Sequence, residues 1–162
     1  MSPTAPLIVV APVAGKIVAL TDVPDPVFAE AMVGPGIAIE PGSTLTVARA
    51  PIAGRLVKLH PHAFLIEASP TADAATHPAI LVHLGVDTVE LAANAFQLIA
   101  QEGGYIAAGE RIVSWNPAVV RASGRSAVVV VIAMDATSGQ LTELAEPGLR
   151  VQAGAPLFSL TP

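Results

Sequence analysis

Three of the four histidines fall in two short stretches, and their spacing makes them the best candidates for chemistry. His60 and His62 flank a proline, and His83 lies in the apolar run ILVHLGVDTV at residues 80–89, four positions before Asp87. An apolar, β-branched run that ends in Gly and Asp is typical of a buried strand. Because His60 and His62 are two positions apart, a strand would place them on one face, although the proline favours a turn or a strand edge. We expect His83, on a neighbouring strand, to meet His62.

A histidine pair in a chain without cysteine suits two chemistries. One imidazole can attack a phosphoryl group while the other donates a hydrogen bond to the phosphate. Alternatively, His62, His83 and Asp87, together with His60, can bind zinc and activate water in a hydrolase. The spacings His-x-His and His-x-x-x-Asp are short, so the residues alone leave both chemistries open.

Internal repeats predict the scaffold that must position these side chains. APVAGKIVAL at residues 11–20 recurs as APIAGRLVKL at residues 50–59, and each copy predicts a glycine bend followed by an alternating strand. Paired glycine turns recur at residues 104–112 and 148–157. We therefore predict an all-β fold, an antiparallel β-sandwich with a duplicated motif and a few short helices. The whole chain, residues 1–162, is expected to be one domain with a flexible lead-in at residues 1–6.

Helical signals are sparse. Residues 25–32 predict about two turns of helix, with Asp25 as the N-cap and Pro26 at the first helical position. Residues 94–102 predict a second short helix that ends at Gly103.

Other segments are expected to be irregular. Residues 116–122 and the chain from Pro147 onward predict loops and strand edges. Residues 68–78, reading ASPTADAATHP, predict a mobile loop that carries His77, which we expect to be solvated and inert.

Composition excludes several classes of protein. The net charge is −5 and only two lysines occur, so nucleic acid is not an expected partner. Without cysteine, disulfides and thiolate sites are absent. The longest apolar run, residues 127–134, is too short to span a bilayer, so we expect no direct membrane insertion. MSPTAPLIVV lacks a basic leader, and the expected location is the cytoplasm.

Several stretches resemble, nearly residue for residue, the signature of the glucose-type enzyme IIA components of the bacterial sugar phosphotransferase system. The motifs appear in the family's order and cover about residues 7–160. They lie at residues 22–39 (DVPDPVFAEAMVGPGIAI), 62–67 (HAFLIE), 82–91 (VHLGVDTVEL), 102–109 and 133–135.

The resemblance implies a role for each histidine. His83 would accept a phosphoryl group through Nε2 from the phosphocarrier protein HPr and pass it to a cysteine on the IIB domain of a sugar permease. His62 would donate a hydrogen bond to the phosphate and remain unphosphorylated. No cofactor is implied. Because such a group must be passed on rather than hydrolysed, its surroundings should be poor in water and in general bases.

The resemblance also implies a shallow apolar face for docking partners. The matching apolar positions are Val27, Phe28, Met32, Leu81 and Val89. Asp25 and Asp87 match acidic positions that meet a basic residue of HPr. The ordinary alternative for Phe28 and Met32 is that they form the buried face of a short helix.

This chain departs from the family at two places. The family commonly has a threonine two residues before its donor histidine, where this chain has His60, an imidazole that can also serve as a donor. The segment between His62 and His83 is longer than usual.

Two other classes of protein share part of this pattern. The lysostaphin-type zinc endopeptidases combine the same histidine spacings in the reverse order along the chain. Biotinyl and lipoyl carriers need a lysine at a hairpin tip, and residues 133–136 (AMDA) contain none.

Overall fold

Antiparallel strands dominate the computed structural model, which describes residues 6–68, 78–91 and 95–161. The strands are β1 (Leu7–Val10), β2 (Gly15–Val18), β3 (Gly36–Glu40), β4 (Thr46–Arg49), β5 (Gly54–His60), β6 (Ala63–Ala68), β7 (Ala79–Leu84), β8 (Phe96–Leu98), β9 (Tyr105–Ile106), β10 (Arg111–Trp115), β11 (Val129–Ala133), β12 (Leu141–Glu143), β13 (Arg150–Val151) and β14 (Pro156–Leu160). The α-helices whose bounds are described are α1 (Pro26–Ala29) and α2 (Pro117–Ala122), and 3-10 turns lie at Leu20–Asp22, Val89–Leu91 and Ser138–Gln140.

The strands form one large sheet and two small ones. The eight-stranded sheet has the order β13-β2-β3-β11-β7-β6-β5-β9, and the three-stranded sheets have the orders β1-β14-β12 and β4-β10-β8. Every strand pairing within the described residues is antiparallel. The predicted all-β antiparallel fold is confirmed.

The central strand β11 is buried on both faces, because apolar side chains cover the large sheet on each side. Val129 and Val131 point into the main core between the sheets. Val130 and Ile132 belong to a second, smaller apolar cluster on the opposite face, which we call the outer cluster. The other buried members of the outer cluster are Val23, Phe28, Ala38, Val86 and Val128. The continuous apolar run in the sequence thus reflects burial on both faces.

The two repeat copies fold alike and bond to each other reciprocally. The amide of Val10 donates to Pro51 O at 3.0 Å, and the amide of Arg49 donates to Pro12 O at 2.9 Å. The glycine turns follow the same symmetry, since Gly109 N donates to Ala50 O and Gly154 N donates to Ala11 O, both at 2.8 Å. Lys16 and Arg55 are exposed on the solvent-facing sides of their strands, as the alternation of each strand predicts.

The prediction of a helix at residues 94–102 is wrong beyond Ala95, which is helical. Residues 96–98 form β8, which pairs with β10. The ring of Phe96 stacks on Trp115 with centroids 5.9 Å apart and planes 9° apart. Tertiary packing of this aromatic pair outweighs the local helical preference.

The prediction of a loop at residues 116–122 is also wrong, because residues 117–122 form α2. The Asn116 side chain accepts a hydrogen bond from Ala118 N at 3.0 Å, and Pro117 occupies the first turn. Arg121 then anchors the helix to the β3–β4 loop through Glu40 at 2.9 Å and Pro41 O at 2.7 Å. The Asn-Pro pair is the start signal that the sequence offered.

Two further expectations need adjustment. The N-cap at Asp25 is confirmed, but α1 is one turn long rather than two and ends before Ala31, which has a φ of 54°. Beyond Pro147 the chain forms β13 and β14, and β14 lies in the middle of its sheet rather than at an edge.

Some expectations lie outside the described residues. These are residues 69–77 of the mobile loop predicted at residues 68–78, including His77, and residues 1–5 of the predicted lead-in. Within the part of the chain that is described, no helix has the length and apolar character needed to cross a bilayer.

Candidate functional site

His83 has apolar cross-strand neighbours on the outer face of the large sheet. It lies directly opposite Ala63 on β6 and Val130 on β11, and Val130 in turn lies opposite Ala38 on β3. Directly opposite residues point to the same face of a sheet. The alternation of β7 therefore sends Ile80, Val82 and Leu84 into the main core and His83 to the outer face.

The turn after β7 fixes the orientation of the His83 ring. Gly85 adopts a φ of 80°, which directs its carbonyl oxygen toward Nδ1 of His83 at 2.5 Å. A carbonyl can only accept, so Nδ1 carries the hydrogen and Nε2 keeps a free lone pair. The protein has thereby assigned the tautomer of the ring.

Thr88, for which no role was expected from the sequence, secures that turn. Its side chain is fully buried, and Oγ1 donates to Leu84 O at 2.7 Å. The signal available in the sequence is a threonine within an apolar run, because a threonine hydroxyl can donate a hydrogen bond to the backbone carbonyl four residues earlier. Arg125 also supports the turn, since Nε donates to Asp87 O at 2.8 Å. That contact joins residues far apart in the chain, so no local pattern reveals it.

His62 reaches the site from the turn between β5 and β6. His60 pairs with Ala63, which leaves Pro61 and His62 as a two-residue connection, and the fixed φ of proline suits its first position. The tip of this hairpin is tied to β7 by a hydrogen bond from Leu84 N to His62 O at 2.7 Å. The expected turn at the proline is confirmed.

The two imidazoles meet, as expected. The ring centroids of His62 and His83 are 5.2 Å apart, and the planes cross at 70°. His60 stacks on His62, with the ring centroids 5.8 Å apart and the planes tilted by 23°. The Nδ1 atom of His62 is buried and has no hydrogen-bond partner.

The environment favours neutral rings. Burial, followed by the neighbouring His83 and His60, lowers the pKa of His62 to about 4. Burial also lowers the pKa of His83, against the opposing effects of the Gly85 carbonyl, Asp25 and Asp87. Both rings are therefore uncharged at neutral pH, the state that a nitrogen nucleophile needs.

Apolar side chains surround the pair, but at different depths. The Phe28 ring lies 5.2 Å from the His83 ring and is only 8% exposed, so it is part of the outer cluster. Leu81 packs against the same cluster and is half-buried. Three of the predicted docking residues are exposed, namely Val27 at 44%, Met32 at 70% and Val89 at 61%.

Two aspartates, Asp25 and Asp87, lie near His83. Asp25 caps α1 by accepting a hydrogen bond from Val27 N at 2.9 Å. Asp87 lies in the turn after β7 with a φ of 57°. Both carboxylates act electrostatically on His83.

The arrangement gives the zinc alternative no support. Among residues 6–68, 78–91 and 95–161, no three or more histidine, aspartate or glutamate side chains are grouped so that they could hold a metal ion. His60, His62, His83 and Asp87 thus do not converge as a ligand set.

Comparison with known proteins gives consistent matches. Residues 7–139 match the family described as phosphoenolpyruvate-dependent sugar phosphotransferase system, EIIA 1. The glucose-specific EIIA component of Oceanobacillus iheyensis is 34% identical over 126 residues, which cover 76% of this chain and 72% of that protein. The solved structure of glucose permease IIA from Mycoplasma capricolum aligns with a TM-score of 0.81 and 32% identity over 96% of each chain.

A fused relative also matches. The N-acetylglucosamine-specific EIICBA component of Klebsiella pneumoniae is 34% identical over 153 residues, or 93% of this chain. The match covers 22% of that protein, so the chain spans about a fifth of its length.

Proposed function

Because the chain belongs to the EIIA 1 family of the phosphoenolpyruvate-dependent sugar phosphotransferase system, we propose that it carries a phosphoryl group on Nε2 of His83. Membership of the family makes it a component of sugar phosphotransfer. The observation that carries the finer assignment is the contact between Nδ1 of His83 and the Gly85 carbonyl, which leaves Nε2 as the nucleophilic nitrogen.

The proposed reaction has two displacements. First, the Nε2 lone pair of His83 attacks the phosphorus of phosphorylated HPr. An N–P bond forms, and the electron pair of the broken bond returns to the HPr imidazole. Second, a cysteine thiolate of the IIB domain attacks the same phosphorus, and the electron pair of the His83–phosphorus bond returns to Nε2. Nδ1 keeps its hydrogen throughout, so the ring needs no proton exchange.

We assign His62 the stabilisation of the phosphoryl oxygens. Its ring is close enough to His83 to reach a group attached there. A phosphoryl group offers acceptors, so His62 must present an N–H. Its buried Nδ1 has no acceptor, and a buried N–H without an acceptor is rarer than an under-satisfied acceptor. The hydrogen therefore belongs on Nε2.

The surroundings support transfer rather than hydrolysis. Phe28 covers one side of His83 and excludes water from it. Among the described residues, the carboxylates of Asp25 and Asp87 act on His83. We assign them the attraction of a basic residue of HPr, while Val27, Met32 and Val89 supply the exposed apolar contact.

A sugar permease is the proposed acceptor side of the relay. The matching segment is part of longer relatives that are named EIICBA components, and these names combine it with the IIC and IIB parts. These relatives are named for N-acetylglucosamine and for glucose, so we assign the choice of sugar to the permease rather than to this chain. In this scheme the carrier works in the cytoplasm.

The test is a phosphoenolpyruvate-driven HPr relay with labelled phosphate. Wild-type protein should take up one label on His83, and His83→Gln should take up none. His62→Gln should accept the label but pass it slowly to a IIB domain. Label that persists in His83→Gln would remove the assignment, and a His62→Gln protein that accepts none would make His62 part of the acceptor. Circular dichroism of each variant controls for folding.

A further inference from the structure

The His62 ring has one nitrogen that the structure leaves unexplained. Nδ1 is buried and has no hydrogen-bond partner, whereas the corresponding atom of His83 is bonded to Gly85 O. Buried polar atoms are nearly always paired, because leaving one unpaired forfeits its hydration. A ring that must hold a phosphoryl group in a fixed orientation has an additional need for a second anchor.

His60 is the neighbour with a free donor. The rings that contact His62 are those of His60 and His83. His83 commits its Nδ1–H to Gly85, and Pro61 has no amide hydrogen. His60 lies at the exposed end of β5, and no described residue forms a side-chain hydrogen bond with it.

The His60 and His62 rings are close enough for a hydrogen bond but are not oriented for one. Their centroids are 5.8 Å apart with the planes 23° from parallel, so the rings are stacked rather than edge to edge. Two imidazoles joined by an N–H···N bond have centroids roughly 5 Å apart, because the bond spans about 2.9 Å and each nitrogen lies about 1.1 Å from its centroid. The observed separation is close to that of a bonded pair, so the proposed bond requires chiefly a reorientation of the exposed His60 ring.

We propose that His60 is a positioning residue that donates a ring N–H to Nδ1 of His62 when a phosphoryl group occupies His83. This inference rests on the proposed function. A donor at Nδ1 keeps that nitrogen an acceptor, so the hydrogen of His62 stays on Nε2. The phosphoryl oxygens, which accept, require the same tautomer from the other end of the ring. His60 and the phosphoryl group thus hold His62 from opposite sides.

The first measurement is the hydrogen bonding of His62 Nδ1, read from ring ¹⁵N chemical shifts in the phosphorylated protein. Wild type should show the Nε2–H tautomer with a hydrogen-bonded Nδ1. His60→Ala should keep that tautomer, which the phosphoryl oxygens require, but lose the hydrogen-bond shift of Nδ1, and His60→Gln, whose amide can donate, should restore that shift. Lys58→Ala, an exposed position on the same strand, is the matched control and should resemble wild type.

The second measurement separates acceptance from handover. His60→Ala should transfer the phosphoryl group to a IIB domain about tenfold more slowly, with a smaller change in acceptance from HPr, and His60→Gln should recover most of the loss. An Nδ1 chemical shift in His60→Ala that equals the wild-type value, or a handover rate within about twofold of wild type, overturns the inference while leaving the carrier role intact. Wild-type protein that takes no label on His83 overturns both.

Discussion

The Nδ1 nitrogen of His83 and the carbonyl oxygen of Gly85 lie 2.5 Å apart, two residues from each other in the chain. The contact exists because Gly85 takes a φ of 80°, where a side chain would be strained. The carbonyl orders the ring and also raises its basicity, in opposition to burial, which lowers the pKa of His83. One short turn therefore sets the tautomer, the orientation and part of the basicity of the ring.

Replacing Gly85 with alanine should damage both fold and function. An added Cβ would lie 2.6 Å from Thr88 Cγ2 and 2.8 Å from Ser126 O, so the turn must shift and take the carbonyl away from His83. Gly109→Ala is the control, because Gly109 has a similar φ of 86° with nothing within 4 Å of an added Cβ. We expect Gly85→Ala to lose roughly 1–3 kcal/mol more than Gly109→Ala in urea unfolding. Equal losses, with normal labelling of His83, would contradict the role given to the turn.

The buried hydroxyl of Thr88 should contribute stability that its methyl group cannot. Thr88→Val preserves the shape but leaves Leu84 O without its partner, at a cost of about 1–3 kcal/mol. Thr88→Ser keeps the hydroxyl and should lose less. Thermal unfolding of the three proteins, followed by labelling, checks the order. A valine variant as stable as wild type would show that the hydrogen bond is not needed.

Stability should fall as the solution becomes acidic, partly through the histidine pair. In the unfolded chain His62 regains its ordinary pKa of 6.5, whereas burial and the neighbouring His83 and His60 lower it to about 4 in the folded state. Between those values the unfolded chain binds more protons, so stability declines as the pH drops from about 6.5 toward 4 and is unaffected by this group above that range.

Denaturant unfolding at pH 7, 6 and 5 measures this slope in wild type and in His62→Gln. The carboxylates contribute equally to both proteins, so the difference between their losses of unfolding free energy is the contribution of His62. The variant should show the smaller loss on acidification. Parallel curves for the two proteins would mean that His62 is not held neutral.

Phe28 and Met32 should have separable effects, although both were predicted to lie on the docking face. Phe28 is buried against the His83 ring, while Met32 is 70% exposed. Phe28→Leu should admit water and speed spontaneous loss of the phosphoryl group, on the order of fivefold, with little change in the KM for HPr. Met32→Ala should raise that KM by about fivefold and leave the lifetime unchanged.

The measurements are the decay of labelled protein and steady-state transfer from HPr. If Phe28→Leu alters only the KM, Phe28 contacts the partner directly and the shielding role is wrong. The Met32→Ala protein serves as the matched control, because Met32 lies in the same segment and its truncation removes apolar surface without exposing the His83 ring to water.

The candidate site could be located largely from sequence because its parts are local. The glycine, aspartate and threonine that shape the turn after His83 all lie within five residues of it, and the N-cap at Asp25 is also a local signal. The failed predictions have different causes. At Phe96 a stacked tryptophan decided the conformation, and that partner is distant in the chain. The helix at residues 117–122 instead begins at a local signal, Asn116 followed by Pro117.

The sequence by itself determined the repeat, the antiparallel β class, the imidazole at the end of a buried strand and the turn at Pro61. Only the tertiary structure decided that His62 and His83 meet, that Phe28 lies beneath the surface and that Arg125 supports the Asp87 turn. The reason is physical. Backbone preferences and side-chain alternation depend on adjacent residues, whereas a distance between two strands depends on their register, which the packing of the whole core sets.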